Sequence, residues 1–289
     1  MNYITKYSEN YIIEFMNQII SKIYPPGKKS LYSANNLYLK PVLSKINRRY
    51  KPYYYANFLS SFDGRIATYD KKYGKLLTPE RIKSKVDYSL FCQLHAQSDC
   101  LVTNTEYLRG LSKGYYGNIL SVKNSKLNLW RNKNNLKNQD IIVLSNSLNF
   151  QVDKNIEVLK NKITILTTSK NKKKIQNLEK KNYKVIQCKG KNVSAKRLNE
   201  YIISKKYKSI YFIAGPRIVE QMISENLLNK LYCSTSMCIM GSENYDKIIR
   251  GDFLKESKNL KLVELYLYSH KTKKITQQTL FQVFDLKGK

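Results

Sequence analysis

The residues best suited to chemistry fall in one run, Asn57-Phe58-Leu59-Ser60-Ser61-Phe62-Asp63-Gly64-Arg65-Ile66-Ala67. A β-rich stretch from Tyr53 to Leu59 feeds a polar elbow. There Gly64 can take the positive φ of a tight reversal and Asp63 can hydrogen-bond the turn backbone. Open α/β sheets collect ligands at such carboxyl ends, although the same residues also describe an ordinary strand–turn boundary. Two strand-to-helix steps carry small or hydroxylic residues, Thr103-Asn104-Thr105 and Ala214-Gly215-Pro216-Arg217. Free amides at a helix N-terminus bind phosphate, and glycine allows close approach. Arg217 in a first helical turn opposes the helix dipole but suits a phosphate. With two histidines, His95 and His270, and no Cys-x-x-Cys pair, no metal site is expected. The zinc-deaminase signature, the Gly-x-Ser-x-Gly elbow, the Walker loop and the Gly-x-Gly-x-x-Gly loop are all missing.

The elements that would position these residues alternate from Lys51 onward. Strands are expected at 53–59, 100–102, 141–144, 163–167, 183–187, 209–213 and 230–239, and helices at 79–97, 170–181, 194–206 and from 214 to about 226. Residues 69–75 read as a charged loop and 110–138 as irregular. Two last β-like runs, 260–268 and 279–286, pair as an antiparallel hairpin. The reading is α/β: a mainly parallel central sheet with helices on both faces and a C-terminal antiparallel hairpin at its edge. Before it, Ile12, Phe15, Met16, Ile19, Ile20 and Ile23 recur at helical spacing, which predicts a helix over 8–24 stopped by Pro25-Pro26-Gly27. Residues 28–50 are polar and basic with little periodicity, so 1–50 reads as a helix plus a linker or wrapping arm and 51–289 as a single domain.

Length and composition bound the rest. The 289 residues, 42% hydrophobic and 25% charged, allow a substantial core. No apolar run reaches the roughly 20 residues of a membrane span, and Met1 to Lys6 does not open a signal peptide. Five scattered cysteines suit reduced thiols, so the expected compartment is the cytoplasm. The net charge of +31 predicts attraction to polyanions, but the basic residues are spread along the whole chain amid abundant Asn, Ile and Tyr. That mixture is what an AT-biased genome encodes. Nucleic acid is therefore not the expected partner, while phosphorylated small molecules are favoured.

Taken together, the stretches resemble the reductase family of riboflavin biosynthesis, the C-terminal half of the bifunctional pyrimidine deaminase/reductase, over roughly 51–289. The family pattern Ser-Leu-Asp-Gly-Arg-x-Ala is met by Ser60-Ser61-Phe62-Asp63-Gly64-Arg65-Ile66-Ala67 and Leu-Arg-Ala-x-x-Asp by Leu94-His95-Ala96-Gln97-Ser98-Asp99. A third pattern, Gly-Pro-x-Leu followed by Leu-Leu-Gly, is met by Gly215-Pro216-Arg217-Ile218 and Ile239-Met240-Gly241. The resemblance implies a dihydrofolate-reductase-like fold, a homodimer, NADPH as cofactor, and hydride transfer to C1′ of the ribose in 5-amino-6-(5-phosphoribosylamino)uracil. By position it implies that Asn57, Ser61 and Asp63 line the reaction centre and Leu59 backs the nicotinamide. Thr103, Asn104, Thr105 and Ser145 touch cofactor ribose or phosphate, and Gly215, Pro216, Arg217 and Ile218 cradle the pyrophosphate.

Departures from the pattern are concrete. The family glutamate before Ala-Gly is Ile213 here, and the arginine of Leu-Arg-Ala is His95. A pocket without that buried acceptor and cation loses several kcal/mol of substrate binding, about 1–3 for each such group. Arg109, Lys75 or Arg65 could substitute for the lost groups, and Lys75, His95 and Arg109 are the residues expected on the substrate side. The alternatives are a diverged relative with changed substrate or none, acting as a scaffold, and a basic nucleic-acid-binding protein.

Overall fold

A computed structural model of the chain describes residues 18–28, 30–39, 51–121, 124–136, 139–152, 154–213, 215–251, 254, 257–271 and 276–286. Strands β1 (Ile19–Tyr24) and β2 (Leu31–Ser33) come first, then β3 (Tyr53–Ser61), β4 (Arg65–Asp70) and β5 (Lys75–Leu77). Next are α1 (Lys85–Ala96), β6 (Cys100–Asn104), α2 (Thr105–Ser112), α3 (Ser125–Lys133), β7 (Asp140–Ser145), α4 (Lys154–Glu157) and β8 (Ile163–Thr167). The chain continues with α5 (Lys172–Lys180), β9 (Lys184–Gln187), α6 (Ala195–Ser204), β10 (Ser209–Phe212) and α7 (Pro216–Ser224). It ends with β11 (Lys230–Ser236), β12 (Tyr245–Lys247), β13 (Leu260–Lys271) and β14 (Thr276–Leu286).

Among the described residues these form an eleven-stranded sheet in the order β2-β1-β13-β14-β11-β3-β10-β6-β7-β8-β9. From β11 to β9 every pairing is parallel; from β11 back to β2 every pairing is antiparallel. Strands covered on both faces should read as continuous apolar runs, and β3 does. Its Tyr53 and Tyr55 enter one core with Leu90 and Leu94 of α1 and Leu108 of α2. Tyr54, Ala56 and Phe58 enter the other with Leu198 of α6 and Val219 and Met222 of α7. Tyr55 and Tyr211, both fully buried, stack across β3 and β10 with centroids 5.0 Å apart. A small sheet, β12-β4-β5, folds out from the end of β3.

Several elements differ from the expectation, each for a local reason. The helix expected over 8–24 lies partly outside the described residues, and the described part, Ile19–Tyr24, is a strand paired with β13. The clustered isoleucines that matched a helical spacing are β-branched and suit a pleated surface equally well. Within the expected arm, Ala34, Leu37 and Tyr38 are buried. Two glutamines hold this stretch, one in α1 and one just past its end: Gln93 donates to the Ala34 carbonyl and accepts from the Tyr38 amide, and Gln97 donates to the Tyr38 carbonyl. Residues 40–50 of the arm lie outside the described residues. Helix α1 starts at Lys85, not Pro79, because Ser84 caps it by accepting from the Asp87 amide. The segment expected to be irregular holds α3, capped by Asn124, and the charged loop is the turn of the β4–β5 hairpin. The C-terminal hairpin is antiparallel as expected, but β1 and β2 lie beyond it, so it is interior to the sheet.

A strand at 19–24 makes neighbouring isoleucines unequal: Ile20 is 0% exposed and Ile19 59%. Ile20→Ala is expected to lower unfolding free energy in urea by about 2–4 kcal/mol and Ile19→Ala by less than about 0.5. Equal losses would contradict the strand.

Candidate active site

The parallel ladder sets Ala56, Phe212, Val102 and Ile142 side by side across β3, β10, β6 and β7. One residue further toward the carboxyl edge stand Asn57, Ile213, Thr103 and Val143, with the Ile213 amide still bonded to the Val102 carbonyl. The chain then leaves β6 and β10 in opposite directions. After β6 it enters α2, whose Leu108 and Leu111 pack on one face; after β10 it enters α7, whose Val219 and Met222 pack on the other. Adjacent strands with opposed departures open a crevice outside their carboxyl ends, the place where open α/β sheets bind ligands.

Both phosphate-suited steps flank that crevice. Asn104 caps α2 by accepting from the Tyr107 amide, and a Cβ built on Gly215 would lie 3.6 Å from Asn104 Nδ2. Gly215 caps α7 without any side-chain hydrogen bond and Pro216 fills its first turn, so no cap side chain takes the entry amides, of which that of Ile218 turns back to the Gly215 carbonyl. Arg217 is exposed beside them. Thr103 is 0% exposed, and its Oγ1 has no hydrogen-bond partner among the described residues. Ser145, on the next strand, is occupied in accepting from the Leu148 amide.

The elbow lies further out along β3. Gly64 has φ +81°, the conformation the reversal requires. Asp63 is a bound carboxylate: it accepts from the Ser61 hydroxyl, Arg65 Nη1 at 2.6 Å and the amides of Met240 and Gly241. The Ser61 hydroxyl most of all, helped by the amides of Gly241 and Met240 and by Arg65, holds its carboxyl down to about 2, against burial, which is second in size and opposes them. Arg65 also donates to the Ser242 carbonyl and lies 4.5 Å over the Tyr245 ring. Elbow, residues 240–242 and β12 are thereby one unit. Asn57 Oδ1 accepts the Tyr211 hydroxyl, which leaves its Nδ2 to donate elsewhere.

Of the three substrate-side residues, Lys75 and Arg109 reach this edge and His95 does not. The Lys75 ammonium sits 4.0 Å from the Tyr115 ring centroid and 4.7 Å from that of Tyr116. Tyr116 in turn stacks on Tyr107 of α2. Gly110 makes the stack possible, since a Cβ there would fall 2.0 Å from Tyr116 Cε2. Arg109, exposed on α2, donates to the Asn149 carbonyl. His95 stands at the last turn of α1, which runs against the strands, and so lies at the opposite edge of the sheet. It is 3% exposed, and burial, aided by Arg131, pushes its imidazole down to about 3. Its proximity to the motif in sequence concealed a helix length of separation.

Asp87 was not among the residues singled out from the sequence. It is 9% exposed at the first turn of α1, its Oδ1 has no hydrogen-bond partner among the described residues, and Ser234 of β11 faces it. Burial raises its carboxyl to about 6, with the Ser234 hydroxyl opposing. On the same face of the sheet stand Asn57, Tyr211 and Tyr232. The spacing Ser84-x-x-Asp87 was a legible signal, but it reads as a capping box whose acid turns back to the helix start. Here the acid points inward instead.

A single large sheet with a ligand crevice at its switch point and a folded-out elbow defines the class of protein. The RibD C-terminal domain family matches residues 52–274, and the chain belongs to that family. The structure is similar to a pyrimidine reductase-like protein from Corynebacterium diphtheriae, with a TM-score of 0.65 and 18% identity over 89% of this chain and 99% of that one. It is also similar to Acinetobacter baumannii RibD, with a TM-score of 0.57 and 12% identity over 83% of this chain and 59% of that one. The riboflavin biosynthesis reductase Rib7 of Saccharomyces cerevisiae gives 0.51 and 15%, over 84% and 93%. The chain thus spans about six-tenths of the Acinetobacter chain, and no curated protein sequence matches it. The fold is α/β with a mainly parallel central sheet and a C-terminal antiparallel hairpin, as the sequence implied, and it is shared with these solved structures.

The neutral buried His95 has a measurable consequence. Between about pH 6.5 and 3 the unfolded imidazole takes up a proton that the folded one refuses, so the native chain loses stability as pH falls through that window. His95→Gln lacks this loss. Its stability relative to the parent should rise on acidification by up to about 1.4 kcal/mol per pH unit, read from urea unfolding. A gap independent of pH would show that the ring takes up its proton as readily in the fold as in the unfolded chain.

Proposed function

We propose that the chain is an NADPH-dependent reductase of the riboflavin-precursor type, delivering hydride to C1′ of the ribose in a 5-phosphoribosylamino-pyrimidine and opening the sugar to a ribityl chain. The observation that carries this reading is the crevice between β10 and β6, with Gly215 and Asn104 on its two sides. An orphaned Thr103 hydroxyl and uncapped entry amides of α7 fit a phosphate-bearing dinucleotide there. A reduced nicotinamide supplies the hydride, and alignment and charge are the tasks left to the chain's own residues.

In this reading Gly215, Pro216, Arg217 and Ile218 hold the pyrophosphate, and Thr103, Asn104 and Thr105 hold ribose or phosphate oxygens. Leu59 backs the nicotinamide, with Ser145 at the outer margin. Asn57 and Ser61 contact the reacting sugar. Asp63 positions the elbow; its lone pairs are already committed to four donors, so it takes no proton. Lys75 and Arg109 draw the substrate phosphate. His95 has no part in the reaction.

Ile213, packed against the core between Asn57 and Thr103, offers no acceptor for the pyrimidine. Asp87 supplies one from α1 on the same face. A substrate held by its carboxylate form would give kcat/KM that rises with pH through about 6. A homodimer, a cytoplasmic setting and a separate deaminase belong to the same proposal. The second reading, a relative that binds cofactor without turnover, is favoured by the same Ile213.

NADPH at about 100 times its dissociation constant should raise unfolding free energy by about 2.7 kcal/mol, read as a thermal shift. Gly215→Glu should abolish that shift while the fold persists, and an unchanged shift would remove the pyrophosphate assignment. Asp87→Asn should lower kcat/KM and flatten its rise near pH 6. Binding of NADPH with no oxidation in the presence of the phosphoribosylamino-pyrimidine selects the second reading. No binding, with DNA retention that falls steeply with salt, defeats both.

A further inference from the structure

A cavity of about 420 Å3 opens at the far edge of the sheet, where the last turn of α1 meets the amino ends of β7 and β8. The length of the parallel strands separates it from the switch-point crevice. Leu120, Leu127, Leu136, Ile141 and Leu159 form its apolar walls. Two cations, Arg131 and Lys162, line it with Asn128, Asn132, Gln139 and His95, and among the described residues no carboxylate does. Its volume falls within the roughly 300–1,000 Å3 of small-molecule sites, which pair apolar walls with a few polar groups.

A structural role explains only part of this polar set. Arg131 Nη1 donates to the carbonyls of Ala96 and Ser98, closing the end of α1, and Gln139 Nε2 donates to the His95 carbonyl and the Ser98 hydroxyl. Neither employs the far side of the His95 ring. Gln139 Nε2 gives its two hydrogens to the His95 carbonyl and the Ser98 hydroxyl, so its 3.5 Å approach to His95 Nδ1 fixes no tautomer. Nε2 is buried and has no hydrogen bond among the described residues, although the backbone of Leu120 and Ile119 lies close enough to favour a proton on the ring. A buried ring nitrogen at the wall of a cavity lined by two cations and, among the described residues, no acid offers a place to a group with negative charge.

We infer that this cavity is a second binding site, for a small organic anion: a carboxylate or phosphate monoester whose head meets His95, Arg131 and Lys162 and whose apolar body lies against the leucines. It goes beyond the proposed hydride transfer and does not depend on it, since it shares no residue with the crevice.

The chain has two histidines, His95 and His270, so imidazole 15N spectra of the full-length protein report on the cavity with an internal control. Titration with phenyl phosphate and, separately, with benzoate at fixed ionic strength should move the His95 signals saturably and leave those of His270 in place. Asn132 is exposed on α3, so Asn132→Trp should keep the native melting temperature while blocking the cavity and removing the His95 response. Lys162→Glu, also at an exposed position, should weaken binding by roughly tenfold through like-charge repulsion. The inference is overturned if neither probe moves His95 saturably up to millimolar concentration, if His270 moves in parallel, or if both variants respond as the parent does.

Discussion

Everything at the carboxyl edge depends on the chain leaving β6 toward one face of the sheet and β10 toward the other. Right-handed crossovers impose this: a connection that moves outward past β7 must cover one face, and one that moves back toward β11 must cover the opposite face. The crevice is therefore a product of strand order, and the residues beside it need only be small or polar. Gly215 and Asn104 come together because their strands are neighbours in register, across more than a hundred residues of sequence. No short motif could carry that arrangement, and none does.

Environment sorts the ionisable groups into distinct roles. Asp63 and Asp87 carry the same side chain, yet one is held low by four donors and the other raised by burial with little to offset it. A carboxylate whose lone pairs are filled is a structural tie; one left short of partners is available to a ligand. His95 and Arg131 show the same division at the other edge. The arginine is drawn to the carbonyls at the end of α1, where the helix dipole favours a cation, and its charge helps keep the imidazole neutral.

Much of the parallel half was legible, because strands buried on both faces declare themselves as short apolar runs between turn residues. The strand 163–167 and the Ser194 cap of α6 fell where the sequence placed them. The Gly64 turn was legible for the same reason, as one residue's conformational freedom. The N-terminal segment was not. Its burial rests on Gln93 and Gln97, polar side chains some sixty residues away that satisfy the backbone of 34–38, and no periodicity records such a bond. The site was half legible. Residues fixed by a strand end, such as Asn57 and Thr103, could be placed from motif order, whereas His95 and Asp87 lie at opposite ends of one helix, which motif order cannot tell apart. Asp87 was hidden by its own spacing, which resembles a cap.

The pairing of β1 with β13 sets Tyr24 opposite Leu265, about 240 residues later. A ribosome adding roughly 5–20 residues per second needs on the order of 10–50 s to deliver that partner. For that interval β1 can fold back only on β2, and its other edge stays open until β13 has been made. An open strand edge is a template for another chain, so the delay between β1 and β13 is the time in which that edge can be captured from outside.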